Sequence, residues 1–561
     1  LLEREASASG FADASVFIAC RARSGHRLKD VEFMRSFHFP GRSAVYARHA
    51  MCATSHPSAT VTALDVLRQG GNAVDAAIAT AAVLAVVECP MTGIGGDCFA
   101  LVAKPGAKAP LALNAAGRAP AAAHAAWYAR EGIQRIETTS VHAVTVPGAV
   151  DGWCRLCEDH GSMPLARLLG PAIELAEHGF VVAPRVSVDW ARAAAKLGRH
   201  PGAAKHFLTE GRAPRVGEVV RFPALAATLK RIAKEGRAGF YAGEAARDMV
   251  RTLKDLGGLH TLEDFAGQSA SYVEPISTRY HDIDLYELPP SNHGVVALIL
   301  LKMLQRLGRV GASVSVERYH LLMEAARLAF AMRDSFVADP DAAHVPLGHL
   351  MDDRVIDGLV ERIDRRRRRP DLGPVPRPSG SDTVCFSIVD AEGMAVSFIN
   401  SLFADFGSGI AADRTGVVFH NRGEGFVLDP SHPNGIAPRK RPLHTLIPAM
   451  GFRAGELALS FGVMGAHFQP MGHVYVMSNL FDYGMDLQEA VDCPRVFFEG
   501  DGLLIEDAVP GPVVAGLEAL GHKVKRRELP WGGAQIIARD AERGVLIGAS
   551  DHRKDGMALG Y

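Results

Sequence analysis

"RRRRRPDLGPVPRPSGSDTVCFSIVDAEGMAVSFIN", residues 365–400, changes character at one point. Up to Asp382 it is mostly Arg, Pro, Gly and Ser, with almost nothing to bury. From Thr383 it becomes two apolar runs, TVCFSIVD and GMAVSFIN, joined by DAEG, which is a hairpin pattern. A loop that ends on the first residue of a core strand is a place where a chain can be cut while the strand stays fixed. A threonine hydroxyl inside a chain is a poor nucleophile. At a new N-terminus the free α-amine is a built-in base for it. That amine has an unperturbed pKa of about 7.7–8.0, close to working pH, where general bases are most effective. Breaking the Asp382–Thr383 bond would create it. Many strands begin with threonine after a Pro/Gly loop, so this feature alone assigns no activity.

Working outward, the upstream part is mainly helical. "SATVTALDVLRQGG" has helical spacing and stops at Gly70-Gly71, and Asn72 with Asp75 caps "AVDAAIATAAVLAVVE". The second of these helices is apolar nearly all round and should be buried. "GIGGDCFALVAKPG" follows. Its glycines lie between a helix and a strand, the wrong order for a phosphate loop, so a tight turn is expected. From about 150 to 365 the 3.6-residue period dominates, as in "VERYHLLMEAARLAFAMRDSF". After Thr383 the runs "TGVVFHN", "ELALSFGVMG" and "GVLIGAS" read as strands, with helices at "GHVYVMSNLFDYG" and "DLQEAVDCP". The fold class is α+β, one sheet-centred domain built from both parts.

Composition narrows the function. The 561 residues are 48% hydrophobic with 61 Lys+Arg against 62 Asp+Glu, so no global field points to nucleic acid or an anionic membrane. The Arg365–Arg369 run lacks interleaved aromatics and reads as a solvated loop. The apolar run within Ala76–Val87 falls short of a membrane span. Eight cysteines are no disulfide scaffold, and Cys154 and Cys157 read as packed helix residues. His467 and His473 are too far apart for a helical metal pair, and Cys385 lacks a local base. A cytoplasmic location is expected, with export the alternative if the N-terminus is an atypical signal.

Several segments resemble the γ-glutamyltranspeptidase family of N-terminal-nucleophile hydrolases. They include "GGNAVDAAIATAAVLAVVECPMTGIGGDCFALV", "TVPGAVDGW", "GGLHTLEDFA", "DTVCFSIVDAEGMAVSFINSLFADFGSGI" and "PNGIAPRKRPLHTLIPAM". The resemblance runs from about Ser43 to Tyr561. It implies a four-layer αββα sandwich made as one precursor that cuts itself before Thr383. Residues 1–42 would be an extension. Residues 43–382 would be a large chain ending in a mobile tail, 365–382, and residues 383–561 a small chain. The partners implied are these two chains and a small-molecule amide, compatible with a homodimer or heterotetramer. No cofactor, metal, nucleic acid or membrane is implied.

Position by position, the resemblance makes Thr383 the nucleophile, Ser401 the assisting hydroxyl, and Gly465-Ala466 the oxyanion hole. Serine stands at 401 where threonine is usual. Alanine stands at 466 where glycine is usual, and its backbone N–H survives that change. The substrate-holding positions depart further. The family's arginine clamp falls on Ala116, with Arg118 two residues away, and its pocket asparagine falls on Phe403. The groups that grip an α-amine become Arg422 and Gly425, and the paired serines become His444 and Thr445. An amino-acid zwitterion needs a cation and an anion. This pocket loses the usual pair and gains Arg422. The expectation is an amidohydrolase or acyltransferase for a small acidic acyl group lacking an α-ammonium, with Arg422 or Arg118 as its counter-ion. Oxamate-type amidohydrolases and glutaryl-side-chain cephalosporin acylases share the fold. The alternatives are a γ-glutamyl transferase or glutathione hydrolase with an altered pocket, and an inactive member that only binds. Arg422 as a surface or structural ion-pair arginine also stays open.

Overall fold

The computed structural model describes residues 41–370 and 383–561. Two seven-stranded sheets, each wholly antiparallel, form its centre. The first runs β1 (Val45–Ala47), β18 (Val545–Ser550), β17 (Gly533–Asp540), β13 (Glu456–Met464), β12 (Pro448–Arg453), β9 (Ile283–Glu287), β8 (Ile276–Tyr280). The second runs β19 (Met557–Gly560), β2 (Met51–Thr54), β10 (Val384–Val389), β11 (Ala395–Ser401), β3 (Asp97–Ala103), β4 (Leu111–Ala115), β7 (Ser271–Val273). Outside them lie a ribbon, β5 (Phe180–Val181) with β6 (Val219–Val220), and a small sheet of β14 (Val496–Glu499), β15 (Gly502–Ile505) and β16 (Lys523–Arg526).

Strand alternation sends every second side chain into the space between the sheets. Cys385, Val389, Ile399, Phe99 and Leu101 meet Met450, Phe452, Met464 and Ile537 there. Ser397 Oγ donates to the Phe461 carbonyl at 2.7 Å, which adds a polar tie between the two sheets. Opposite Cys385 the facing residue is Gly462, where a Cβ would come within 3.0 Å of the Cys385 Cβ, so glycine lets the sheets close near the head of β10. The outer faces carry helices. Val384, Phe386 and Ile388 pack under Ala73–Val87 and its neighbours, and Phe461, Val463 and Ile536 pack under Gly294–Leu307, Val316–Phe336 and Gln469–Phe481. The result is the αββα sandwich.

Both sides of position 383 supply both sheets: β1 pairs with β18, and β19 with β2. Chains parted at Thr383 would stay interleaved. Most expected elements are present, including the capping box of Asn72 and Asp75. "TGVVFHN" differs. It makes only an isolated bridge, Ala411 to Val418, because its backbone is satisfied by loops: Phe419 N–H donates to Ile410 and His420 N–H to Gly95. The start of the expected mobile tail also differs. Arg369 N–H donates to Glu324 at 3.0 Å, Arg327 donates to the Arg369 carbonyl at 2.6 Å and Arg368 N–H to the Leu520 carbonyl at 2.7 Å. These partners tether the run through 369. Asp382 and the rest of the tail, and residues 1–40, lie outside the described residues. Among the described residues no helix is long and apolar enough to cross a membrane.

Candidate active site

Strand register builds the site. Val384 faces Asn400, which sets Thr383 opposite Ser401, and Ser401 in turn faces Asp97. Directly opposed residues share a face, so Thr383, Ser401 and Asp97 form one row across three strands. The next strand continues it, since Cys98 faces Ala115 and so brings Ala116 beside Asp97. The Thr383 and Ser401 hydroxyls are 3.0 Å apart and both residues are buried. Ser401 Oγ also accepts the Phe403 N–H at 2.8 Å, which holds the hydroxyl in place beside Thr383. The glycine turn is what lets these strands begin so close together. A Cβ on Gly96 would fall 2.3 Å from the Ser401 carbonyl, and one on Gly95 2.1 Å from that of Val418.

The two positions expected to form the oxyanion hole follow the end of β13. Gly465 has φ +125° and Ala466 φ +48°, the left-handed region that an alanine enters at a cost of about 1–2 kcal/mol. Neither backbone N–H donates to another group among the described residues, so the strained turn leaves two donors available. Helix Gln469–Phe481 starts just beyond.

The pocket residues come together around Phe403. Its own φ is +78°, and its ring lies under the Arg422 guanidinium at 4.0 Å. Arg422 is fully buried. Its Nη1 donates to Thr445 Oγ1 at 2.7 Å, while Nη2 has no partner. No carboxylate lies within ion-pair distance of it among the described residues, which removes the structural ion-pair reading. Burial pushes its pKa down to about 9, against the opposing pull of Asp97 and Glu424, so it is charged at neutral pH. Glu424 is turned to Thr138 and Arg135, and burial raises its carboxyl pKa. His444 donates from Nε2 to Asp97 at 3.1 Å, and burial, then Arg422, holds its pKa down to about 3. It is a neutral group.

Arg118 is placed elsewhere. Its guanidinium is partly exposed and taken up by Asp341 at 2.8 Å, Asp339 at 3.5 Å and the Arg439 carbonyl. No hydrogen bond or ring contact among the described residues ties it to Thr383, Phe403 or Arg422. Ala116 is buried and apolar. Gly425 is half-buried and its carbonyl accepts from Asn434 at 2.6 Å. Cys385 is inert: burial raises its thiol pKa, and its Sγ–H points to the Gly533 carbonyl.

The structure adds residues that the sequence pattern did not flag. Asp97 is buried beside Ser401. His420 sits 3.9 Å from it and donates to the Thr145 carbonyl. Arg333 donates to His467 Nδ1 at 2.9 Å, and that ring stands edge-on to Phe403. His473 instead pairs with Glu287, so the two histidines serve different places. A lone acid heading the apolar run DCFALVA was the one readable signal, for Asp97. Arg333 and His467 meet only through tertiary packing. Among the described residues Asp492, Asp551 and His552 have spacing that could suit a metal, but Asp551 already holds Arg495 and Arg553, and the trio shares no residue with this site.

A threonine at a strand head, an assisting hydroxyl and two free backbone donors are the parts of an acyl-transfer site. The sequence profile of the family described as Gamma-glutamyltranspeptidase matches residues 59–561, and this chain belongs to that family. It is 35% identical over 532 residues to a glutathione hydrolase-like YwrD proenzyme of Bacillus subtilis, covering 92% of this chain and 99% of that one. It is also 35% identical over 534 residues to an oxamate amidohydrolase proenzyme of Klebsiella pneumoniae, covering 92% and 100%. Among solved structures, a cephalosporin acylase from Bacillus halodurans superposes with a TM-score of 0.88 at 37% identity, covering 95% and 99%. The protein is thus an enzyme of the N-terminal-nucleophile class.

Proposed function

We propose that the chain is cut between Asp382 and Thr383 and then hydrolyses amides of a small acyl group carrying a carboxylate. The carrying observation is Arg422: a fully buried cation with one unpartnered nitrogen, linked through Phe403 and Ser401 to Thr383. A buried charge without a counter-ion is costly, and a bound carboxylate would supply one. The names of the oxamate amidohydrolase and the cephalosporin acylase among its relatives support this substrate class.

Hydrolysis of the Asp382–Thr383 peptide leaves an Asp382 carboxylate and a Thr383 α-amine. In catalysis that amine takes the hydroxyl proton as Thr383 Oγ1 attacks the amide carbon. Ser401 steers the hydroxyl, and the N–H groups of Gly465 and Ala466 receive the oxyanion. The proton passes to the departing amine and an ester remains on Thr383. Water, deprotonated by the same amine, releases the acid. His444 and Thr445 brace Arg422 and take no proton. The test is a panel of oxamate, glutaryl, neutral acyl and γ-glutamyl amides. Turnover of the oxamate and glutaryl amides, which carry a carboxylate and no ammonium, ahead of the neutral acyl and γ-glutamyl amides is expected. Equal or faster turnover of γ-glutamyl anilides would favour an altered γ-glutamyl transferase instead.

A further inference from the structure

We propose that Asp97 is a positioning and specificity-determining residue: it fixes the one arrangement of His444 and Thr445 that aims Arg422 at an anionic acyl group. This rests on the amidohydrolase reading above. Three donors converge on the Asp97 carboxylate. Gly117 N–H and Gly148 N–H reach Oδ1 at 2.9 and 3.0 Å, and His444 Nε2–H reaches Oδ2 at 3.1 Å. An ionised carboxylate only accepts, so it suits three donors. On the other side of the His444 ring, Nδ1 accepts the Leu446 N–H at 3.3 Å. The two contacts fix one neutral tautomer, with its proton on Nε2. The next residue, Thr445, is held too, since its carbonyl accepts from His293 at 2.8 Å. Its hydroxyl then carries Arg422.

Glycines close the cradle. A Cβ on Gly117 would fall 1.6 Å from the Val146 carbonyl, and one on Gly148 2.0 Å from that of Ala115. Asp97 therefore ties β3, the turn after β4, the start of helix Ala149–His160 and the 444–446 segment into one unit. It does so without touching Arg422, which leaves the unpartnered Nη2 for a ligand. Its charge also disfavours a substrate carboxylate at the Ser401–Ala116 end of the row. An anionic acyl group is then met at Arg422, so the ligand class is the monoamide of a short dicarboxylic acid without an α-ammonium.

The test is Asp97→Asn. The asparagine oxygen can still serve the two glycine N–H groups, but its amide N–H then opposes the His444 Nε2–H, donor against donor. Steady-state kinetics would compare a dicarboxylic monoamide with the neutral acyl amide of equal length, after intact mass confirms cleavage. The expected result is a fall of about tenfold or more in the ratio of kcat/KM for the anionic substrate to that for the neutral one, carried by a rise in KM for the anionic substrate. A carboxylate that merely sat nearby would give the opposite sign, because removing it would lower the anionic KM. An unchanged or improved preference for the anionic amide overturns the proposal. If Asp97→Asn is not cut, His444→Leu breaks the same contact from its other end, with the same loss of preference expected. Retained preference there overturns it, as does failure of both variants to be cut. If the unaltered enzyme itself shows no preference for the anionic amide, the underlying reading fails first.

Discussion

Replacing Arg422 with methionine should stabilise the protein while disabling it. Burial lowers the guanidinium pKa from its usual range to about 9. At about 1.4 kcal/mol per pKa unit, a cation so placed costs a few kcal/mol. The sign follows from the direction. The folded-state pKa lies below the unfolded one, so at pH 7 the group is charged in both states and the full penalty applies. It shrinks only as pH climbs above about 9. Opposing it are the bond to Thr445 and the stacking on Phe403, together worth about 2–4 kcal/mol. Methionine keeps most of the volume and an aromatic contact through its sulfur. Replacing a buried charge by an apolar group of similar size typically gains about 1–4 kcal/mol or is neutral. A net gain of about 1–2 kcal/mol is expected, which raises Tm by about 1–2 °C in a chain of this length. Loss of a charge-assisted contact to the acyl carboxylate should cut kcat/KM about 100-fold. Differential scanning calorimetry and steady-state kinetics on one preparation read both effects. A variant that loses more than about 1 kcal/mol of stability would show Arg422 to be a structural arginine. Full activity on the anionic amide would refute the counter-ion.

Other outcomes follow from the same geometry. Ser401→Ala removes the partner of the Thr383 hydroxyl and strands the Phe403 N–H, so kcat should drop about 10- to 100-fold with KM little changed, read by steady-state kinetics. Ala466→Gly relieves the positive φ and keeps the backbone donor, so activity should persist and Tm should hold or rise slightly in thermal melts. For the anionic amide, kcat/KM should rise near pH 7–8, the range of an α-amine, and fall above about pH 9 as Arg422 loses its charge. His444 and His420, each held down to about 3, stay neutral throughout and add no limb. A further limb near pH 6 would implicate one of them.

Much of the architecture was legible because local patterns and tertiary roles agree. The Thr383–Asn400 hairpin, the apolar helix Ala73–Val87 and the glycine turn at 93–96 all read correctly from spacing alone. "TGVVFHN" did not, since alternation cannot tell a ladder strand from a buried segment whose partners are loops. Of the positions that resemblance pointed to, Thr383 meets Ser401, and Arg422 meets Thr445 and Phe403. Arg118 failed because its partners, Asp339 and Asp341, lie more than 200 residues away in sequence. Asp97 was overlooked for a related reason. Its role comes from register with Ser401 and from glycine N–H groups that only the fold brings near.

The proposed chemistry requires Thr383 to become an N-terminus. Intact-mass spectrometry of the purified protein tests this most directly. It should find two tightly associated chains, one ending at Asp382 and one beginning at Thr383, and a Thr383→Ala variant should remain a single chain. An uncut chain that persists on incubation, or a small chain beginning at any other residue, would contradict it.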